Sequence, residues 1–472
     1  MPIGVDEWVA QHEERAEAGS GWRGTVARVT ARTGWWPRWG LAVLAGLVFG
    51  QLALNVNIQT TAITCLIYAI LAVGLNIAVG WTGLLDLGYV AFYGFGAYGY
   101  ALFSSTALGS GGSGGAHLPA IEIFAIVVVA TGIFGALIGL MALRVSGDYL
   151  AIVTLFVGQA FFEVVNNVDT GTLGGVNGLF GLDPIHWLGG QITTPNGYYY
   201  LALIVCALLV GLLHFLDNSR TGRGWRAVRE DELAAEAMTV PTGIVKVMAI
   251  SFGAMVAAFA GVIFAAQQDT VFPTNFTVNI LILIYACLVL GGAGSIAGAV
   301  LGGILVTAGE QLVSSPTDAG YLFYGLILLG LVIKLRPWRV LAGVLVGTAV
   351  FGVVVHAIVG AISSSATAGS PGSAGWIGSL VSHWVIVPVN ATTFGNVLYI
   401  ATIVLVFVFV RASERWRPFV LVPTIWVAAC CWESRLVVNP AITAQILIGA
   451  ILIATMTIRP QGLLGTMRVE VV

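Results

Sequence analysis

From residue 41 to residue 458 the chain is written almost wholly in apolar runs, separated by short polar or glycine-rich connections. The runs last about 17 to 25 residues, the length a helix rising 1.5 Å per residue needs to cross about 30 Å of hydrocarbon. They are continuous and do not alternate, which excludes a transmembrane β-barrel, whose strands switch between lipid and lumen at each residue. Fourteen helical spans are predicted, at 41–56, 58–80, 84–104, 120–143, 149–166, 196–217, 244–267, 278–292, 295–313, 320–336, 340–362, 394–411, 418–434 and 440–458. In the pairs 41–56/58–80 and 278–292/295–313, one long helix or a re-entrant segment competes with two spans. The expected fold class is all-α, a polytopic helical membrane protein.

Composition agrees. Of 472 residues, 58% are hydrophobic and 9% charged, whereas a soluble domain carries about 25% charged residues. Mean hydropathy is +0.94. The net charge of −2 comes from 20 basic and 22 acidic residues, so no bulk field draws nucleic acid. Cys65, Cys206, Cys287, Cys430 and Cys431 all lie in apolar stretches without a CxxC spacing. They read as packed or lipid-facing residues, with no metal or disulfide framework expected.

The placement of charge sets an expected orientation. Residues 1–38 form a polar segment rich in arginine and acid, without a signal-peptide pattern. Trp35, Trp36 and Trp39 beside Arg38 read as an interfacial anchor. With this segment cytoplasmic, every basic residue except Arg435 falls on the inner side of the fourteen spans, as the positive-inside rule asks. Both termini are then cytoplasmic, in a plasma or inner membrane. The connections 105–119, 167–195 and 363–393 lie outside, with 376–389 apolar enough for a short surface helix.

Glycine is abundant, at 61 residues. Gly294, Gly298 and Gly302 recur every four positions, as do Gly135 and Gly139, a spacing that lets helices pack closely. Ionisable residues inside the spans are few: Glu122, Glu163 and Glu310 near outer ends, Asp86 and Asp148 near inner ends, and His214. An ion-coupled carrier keeps such a group at mid-depth, and none is placed there. No HExxH, no GxSxG with partners and no GxxxxGK[ST] occurs. No catalysis, cofactor or ATPase site is therefore expected; if nucleotide drives this protein, another chain must bind it.

The inner loop 218–243 is the most informative segment. Its arginines, Arg226 and Arg229 among them, are followed by Glu230, Asp231 and Glu232, then Ala234, Ala235, Ala237 and Met238, ending at Pro241 and Gly243. Such a run predicts a short amphipathic helix along the inner membrane face, with Leu233, Ala237 and Met238 on its apolar side. Topology alone needs only the arginines. The acidic and alanine-rich continuation points to a docking helix for a cytosolic partner.

Several ordered motifs carry a resemblance. They are Gly74-Leu75-Asn76 with Gly80-Trp81-Thr82-Gly83-Leu84-Leu85-Asp86-Leu87-Gly88-Tyr89, then 94–98, Gly147-Asp148-Tyr149 through Leu155, Gly174 to Gly178, the stretch from Arg229 to Met238, Gly291-Gly292-Ala293-Gly294-Ser295, and Arg459-Pro460-Gln461-Gly462-Leu463. Together they resemble the branched-chain amino acid ABC transporter permeases of the LivM type, over residues 58 to about 336 plus the C-terminal tail. The resemblance implies a permease subunit of an ATP-driven importer for branched-chain or related apolar amino acids. Its implied partners are a second permease subunit, two cytosolic ATPase subunits and an extracytoplasmic substrate-binding protein. It makes Arg226, Arg229, Glu230, Asp231, Glu232, Ala234, Ala235 and Met238 the candidate ATPase-coupling residues. Asn76, Asp86, Gly88, Gln159 and Glu163 are the candidate translocation path. Gln159 and Phe162 stand where the family often has Glu and Arg, and Thr239 where a glycine often ends the docking motif. The expected organisation is a cytoplasmic segment 1–38, a core permease domain 39–336, inserted helices 337–440, and a final span with cytoplasmic tail 441–472. A stand-alone secondary transporter of small organic solutes is the alternative.

Overall fold

The computed structural model describes residues 35–53, 55–105, 118–143, 148–168, 173–187, 190–334, 338–373, 375–389, 391–411, 413, 416–438, 440–459 and 461–465. The charges expected for 1–34, with Arg144, Arg336, Arg415 and Arg468, lie outside these residues, as does the side chain of Asp148.

The elements are α1 (Trp35–Leu52), α2 (Val56–Leu75) running into a π turn (Asn76–Trp81), α3 (Tyr89–Ser104), α4 (Ala120–Ala142), α5 (Asp148–Asn167), α6 (Pro195–Asn218), α7 (Arg220–Glu230), α8 (Glu232–Ala237), α9 (Thr242–Gln268), α10 (Val278–Gly291), α11 (Ile296–Ser314), α12 (Pro316–Lys334), α13 (Trp338–Ile362), α14 (Gly375–Val381), α15 (Ala391–Arg411), α16 (Arg417–Val438) and α17 (Pro440–Ile458). Each predicted span falls on one of these helices. Among the described residues eight stretches, Val56–Trp81, Thr242–Gln268 and Trp338–Ile362 among them, are long and apolar enough to cross a membrane. Helices suit this setting because they close their backbone hydrogen bonds within themselves, where lipid supplies no partners.

The competing readings of the first and eighth spans resolve into pairs of helices, for local reasons. Asn55 caps α2 by accepting from the Asn57 N–H, separating it from α1. Ser295 caps α11 by accepting from the Gly298 N–H, after a turn in which Gly292 and Gly294 adopt φ of 112° and 95°. The third span starts late, at Tyr89, because residues 82–88 form a turn and not helix. The surface helix expected at 376–389 is confined to α14. Ile377, Val381, Val385, Ile386 and Val387 drop into an apolar cluster with Trp426, while Trp376 and Leu380 stay exposed, so the short helix lies at the surface with one side anchored.

The main apolar cluster joins α2, α3, α4, α6, α9, α10 and α11, with Ile448 and Leu452 of α17 packed against it. Its axis is α9, most of whose middle residues are buried. Close approach is built on glycine: a Cβ on Gly261 would lie 2.3 Å from the Tyr93 carbonyl oxygen, and one on Gly96 2.6 Å from that of Ala258. Residues of α12 to α16 form clusters of their own. Within them Glu433, fully buried, accepts from the Tyr324 hydroxyl (2.8 Å), the Ser373 N–H (2.8 Å) and the Ser373 hydroxyl (2.7 Å).

Contacts also sort the connections between two ends of the bundle. At one end the strand Leu179–Phe180 pairs antiparallel with Thr270–Val271, and the Tyr100 hydroxyl donates to the Asp183 carbonyl. At the other end the π turn, α7, α8, the turn 292–295 and the tail 461–465 meet.

Candidate functional site

The arginine-rich end is built from α7 upward. Ser219 caps α7 by accepting from the Gly222 N–H. The helix exposes one polar face and buries Gly222, Trp225 and Val228 on the other. Trp225 is fully buried; its indole donates to the Val245 carbonyl (3.0 Å) and stacks on Trp81 with ring centroids 5.6 Å apart. Such stacking adds about 0.5–1.5 kcal/mol beyond the area buried.

The arginines of the loop have backbone work at hand. Arg223 donates to the Asn218 carbonyl and Arg226 to that of Asp217, satisfying the last carbonyls of α6, where positive charge is favoured. Arg229 turns inward and donates to the Gly80 carbonyl in the π turn. That turn is locked to the next segment: the Gly294 N–H donates to Asn76 Oδ1 (2.7 Å) and the Trp81 indole to the Gly294 carbonyl (3.3 Å). The tail closes the knot, with the N–H groups of Leu463 and Leu464 donating to the carbonyls of Leu290 and Gly291, each at 2.9 Å. The sequence motifs around Gly80, Arg229, Gly292 and Gly462 are thus one contact region.

The expected single amphipathic helix is broken. Asp231 adopts φ −156°, ψ 113°, leaves α7 and caps α8 by accepting from the Ala234 N–H (3.0 Å). Leu233 and Met238 are held out from the protein, 79% and 76% exposed. Ala237 is exposed as well, and Ala235 is the buried residue of α8, so a bulky side chain at 235 would collide with the fold. Glu232 pairs with Lys246, and Glu230, Asp231 and Ala234 remain exposed. Gly294 does not share a helix face with Gly298 and Gly302, because it lies in the turn ahead of α11. A Cβ on Gly302 would fall 1.9 Å from the Cys287 carbonyl oxygen, and one on Gly298 2.6 Å from that of Gly291. Those two glycines seat α11 on α10.

The candidate path residues divide into two groups. Asn76 is 1% and Asp86 2% exposed. Asp86 holds the turn before α3: its carboxylate accepts from the Gly88 N–H (3.0 Å) and its carbonyl from the Tyr285 hydroxyl (2.8 Å). Gly88 lies against Thr154 of α5, whose hydroxyl accepts from the Leu87 N–H. Gln159 and Glu163, by contrast, sit on the exposed face of α5, where Gln159 and Asn167 donate to the Glu163 carboxylate at 3.1 and 3.0 Å. Trp225 is not among the residues the sequence singles out, because an indole beside arginines, as at Trp35 and Trp39, reads equally as an interfacial anchor. Nor is Glu433, which falls within the predicted span 418–434.

A family model described as "Branched-chain amino acid transport system / permease component" matches residues 57–333. The chain is 34% identical over 297 residues, 58% of its own length and 67% of the relative's, to the high-affinity branched-chain amino acid transport system permease protein LivM of Escherichia coli. It is 28% identical over 286 residues to the corresponding permease protein BraD of Pseudomonas aeruginosa, covering 58% of this chain and 91% of the relative. To permease protein LivH of Escherichia coli it is 25% identical over 265 residues, covering 54% and 84%. No solved structure matches. The match spans α2 through α12, the helices that carry the π turn, the arginine-rich loop and the turn 292–295, and on that ground this multi-pass membrane protein belongs to the branched-chain amino acid transport system permease family.

Proposed function

We propose that this chain is one of two permease subunits of an ATP-driven importer for branched-chain or related apolar amino acids, with loop 218–243 as the docking site of a cytosolic ATPase. The observation that carries the reading is the exposure of Leu233 and Met238 at α8, at an end where Arg223 and Arg226 donate to carbonyls of α6 and Arg229 turns inward to Gly80. Two large apolar side chains held out on a short capped helix, rimmed by Glu230, Asp231 and Glu236, have the anatomy of a protein contact: an apolar centre with a polar rim. The residues offered for coupling are Arg226, Arg229, Glu230, Asp231, Glu232, Ala234, Ala235 and Met238, with Ala235 supporting the helix from within.

Closure of paired ATPase subunits would push on α8, and glycine-packed helices such as α10 and α11 would convert the push into alternating access. Gln159 and Glu163 support a path at the junction with a second permease subunit. Polar side chains on the exposed face of a membrane helix are costly against lipid, and they are accommodated where a partner chain or an aqueous path covers them. Asn76, Asp86 and Gly88 would line the inner end. An external binding protein supplies affinity, so the path itself needs little buried charge.

The test is co-purification of the ATPase with the Leu233→Asp/Met238→Asp double variant. Both side chains are exposed, so the permease should insert and fold as before while losing the ATPase. Full retention of the ATPase would refute the docking role.

A further inference from the structure

We propose that Arg229 and Trp225 are the positioning residues through which the arginine-rich loop works the translocation path, by holding the π turn Asn76–Trp81 in one of two windings. The inference rests on the reading of α8 as the ATPase dock and goes one step inward from it.

The turn itself is the first observation. A π winding is rare, and this one closes the C-terminal end of α2 ahead of the non-helical residues 82–88. Were α2 to continue as α-helix, the Gly80 carbonyl would accept from the Leu84 N–H, four residues on. In the structure the Leu84 N–H donates instead to the Ala78 carbonyl (2.9 Å), and Arg229 supplies the donor for Gly80. A guanidinium on the coupling loop thus occupies the position that a helical amide would take. Gly83 and Gly294 flank it: a Cβ on Gly294 would come within 2.9 Å of Arg229 Nη1, and one on Gly83 within 3.2 Å of Arg229 Cγ.

The second observation is an unsatisfied amide at the start of the turn. Asn76 is 1% exposed, and while its Oδ1 accepts from Gly294, its Nδ2 has no hydrogen-bond partner among the described residues. A buried donor left alone is unfavourable. The present winding therefore stores a cost that a second winding, with Asn76 rotated, relieves.

The third is the linkage. The Trp81–Trp225 stack makes the last residue of the turn move with α7, and the indole of Trp225 ties α7 to the first turn of α9 at Val245. Movement of α8 by a docked ATPase is thereby delivered to α2 at the Gly80 carbonyl and the Trp81 ring. Withdrawing Arg229 frees Gly80 for Leu84 and lets the turn wind into α-helix. Each residue moved between windings advances the chain by about 1.5 Å and rotates it by about 100°.

The experiment compares Arg229→Gln and Arg229→Lys in the assembled transporter, reconstituted in proteoliposomes with leucine as the probe. Arg229→Gln should keep the ATPase bound and hydrolysing while leucine moved per ATP falls roughly tenfold. Arg229→Lys, which retains a cationic donor for Gly80, should recover most of the loss. Hydrogen exchange supplies a readout that does not depend on any variant. In the wild-type complex, a non-hydrolysable ATP analogue should change exchange at residues 78–84, and Arg229→Gln should show that change without nucleotide. Unaltered leucine per ATP in Arg229→Gln, or exchange at 78–84 that ignores nucleotide, overturns the proposal. Release of the ATPase by Arg229→Gln also overturns it, by moving Arg229 to the docking face. Retention of the ATPase by the Leu233→Asp/Met238→Asp variant instead sinks the underlying reading, so the two failures are separate.

Discussion

Thr239 is the residue whose replacement tests the docking turn most directly. It follows α8 at φ 64°, one of only two non-glycine residues with positive φ among those described. Two hydrogen bonds close the helix there, from Thr239 N–H to the Glu236 carbonyl (2.9 Å) and from Val240 N–H to the Ala235 carbonyl (3.0 Å). This is the pairing of a left-handed helix cap that usually carries glycine. A side chain in that conformation costs about 1–2 kcal/mol, more for a β-branched one. Glycine removes that cost but frees the unfolded chain, which gives back about 0.4–1 kcal/mol. Thr239 is exposed, so no buried contact is lost with its side chain. The Thr239→Gly variant should therefore stabilise the turn by about 1 kcal/mol, which slows local opening about fivefold. Hydrogen exchange of residues 234–240 in the purified protein reads this quantity. Exchange that is unchanged or faster would refute the left-handed cap and, with it, the orientation that exposes Leu233 and Met238.

Four further outcomes follow from the geometry. Gly302→Val must push α11 off the Cys287 carbonyl and should lower stability by about 1–3 kcal/mol, read as a lower melting temperature in detergent. Glu433→Leu leaves the Ser373 N–H and two hydroxyls without their acceptor and should loosen residues 370–375 in hydrogen exchange, at about 1–3 kcal/mol per orphaned group. Lys246→Ala breaks a pair whose Glu232 side chain is 46% exposed, so the melting temperature should shift by the equivalent of about 1 kcal/mol or less. Orientation is tested with single cysteines at Val176 and Leu233, both exposed, against native cysteines that are all buried. A membrane-impermeant reagent on intact cells should label position 176 and spare position 233, and the reverse pattern would invert the topology.

What could be read beforehand follows the distance over which each feature is determined. Bilayer thickness sets the span lengths, so the helices were visible in local hydropathy down to a few residues at their ends. The break at Asp231 is also local, a side chain capping three residues on, but it is hidden inside a run of good helix formers. The π turn is only partly local: Gly83, with φ 72°, ends the helix beside it, while the donor to the Gly80 carbonyl comes from Arg229, 149 positions later. Glu433 has a similarly long reach, since its partner Ser373 lies 60 positions away, just before α14. The four-residue glycine repeat continues on paper through the Ser295 cap that starts α11, so Gly294 lies in the turn while Gly298 and Gly302 lie on the helix.

The region beyond residue 333, where the family match ends, obeys a constraint that the tail imposes. Residues 461–465 must reach the carbonyls of Leu290 and Gly291, so the helix before them has to arrive at the arginine-rich end. Helix α12 already runs toward that end, following α11 as its antiparallel neighbour after the bend at Ser315. A tail attached directly to α12 would meet the topological requirement. Here α17 delivers it, packed beside the main cluster through Ile448 and Leu452. Since α12 and α17 run in the same direction, whatever lies between them must cross an odd number of times. Helices α13, α15 and α16 are three, and α14 stays at the far end with Ser373 and Glu433. Helices α13, α15 and α16 pack on one another in clusters apart from the knot around Gly80, Arg229 and Gly292. Two crossings between α12 and α17 could not meet the requirement, because an even number would strand the tail at the opposite end of the bundle.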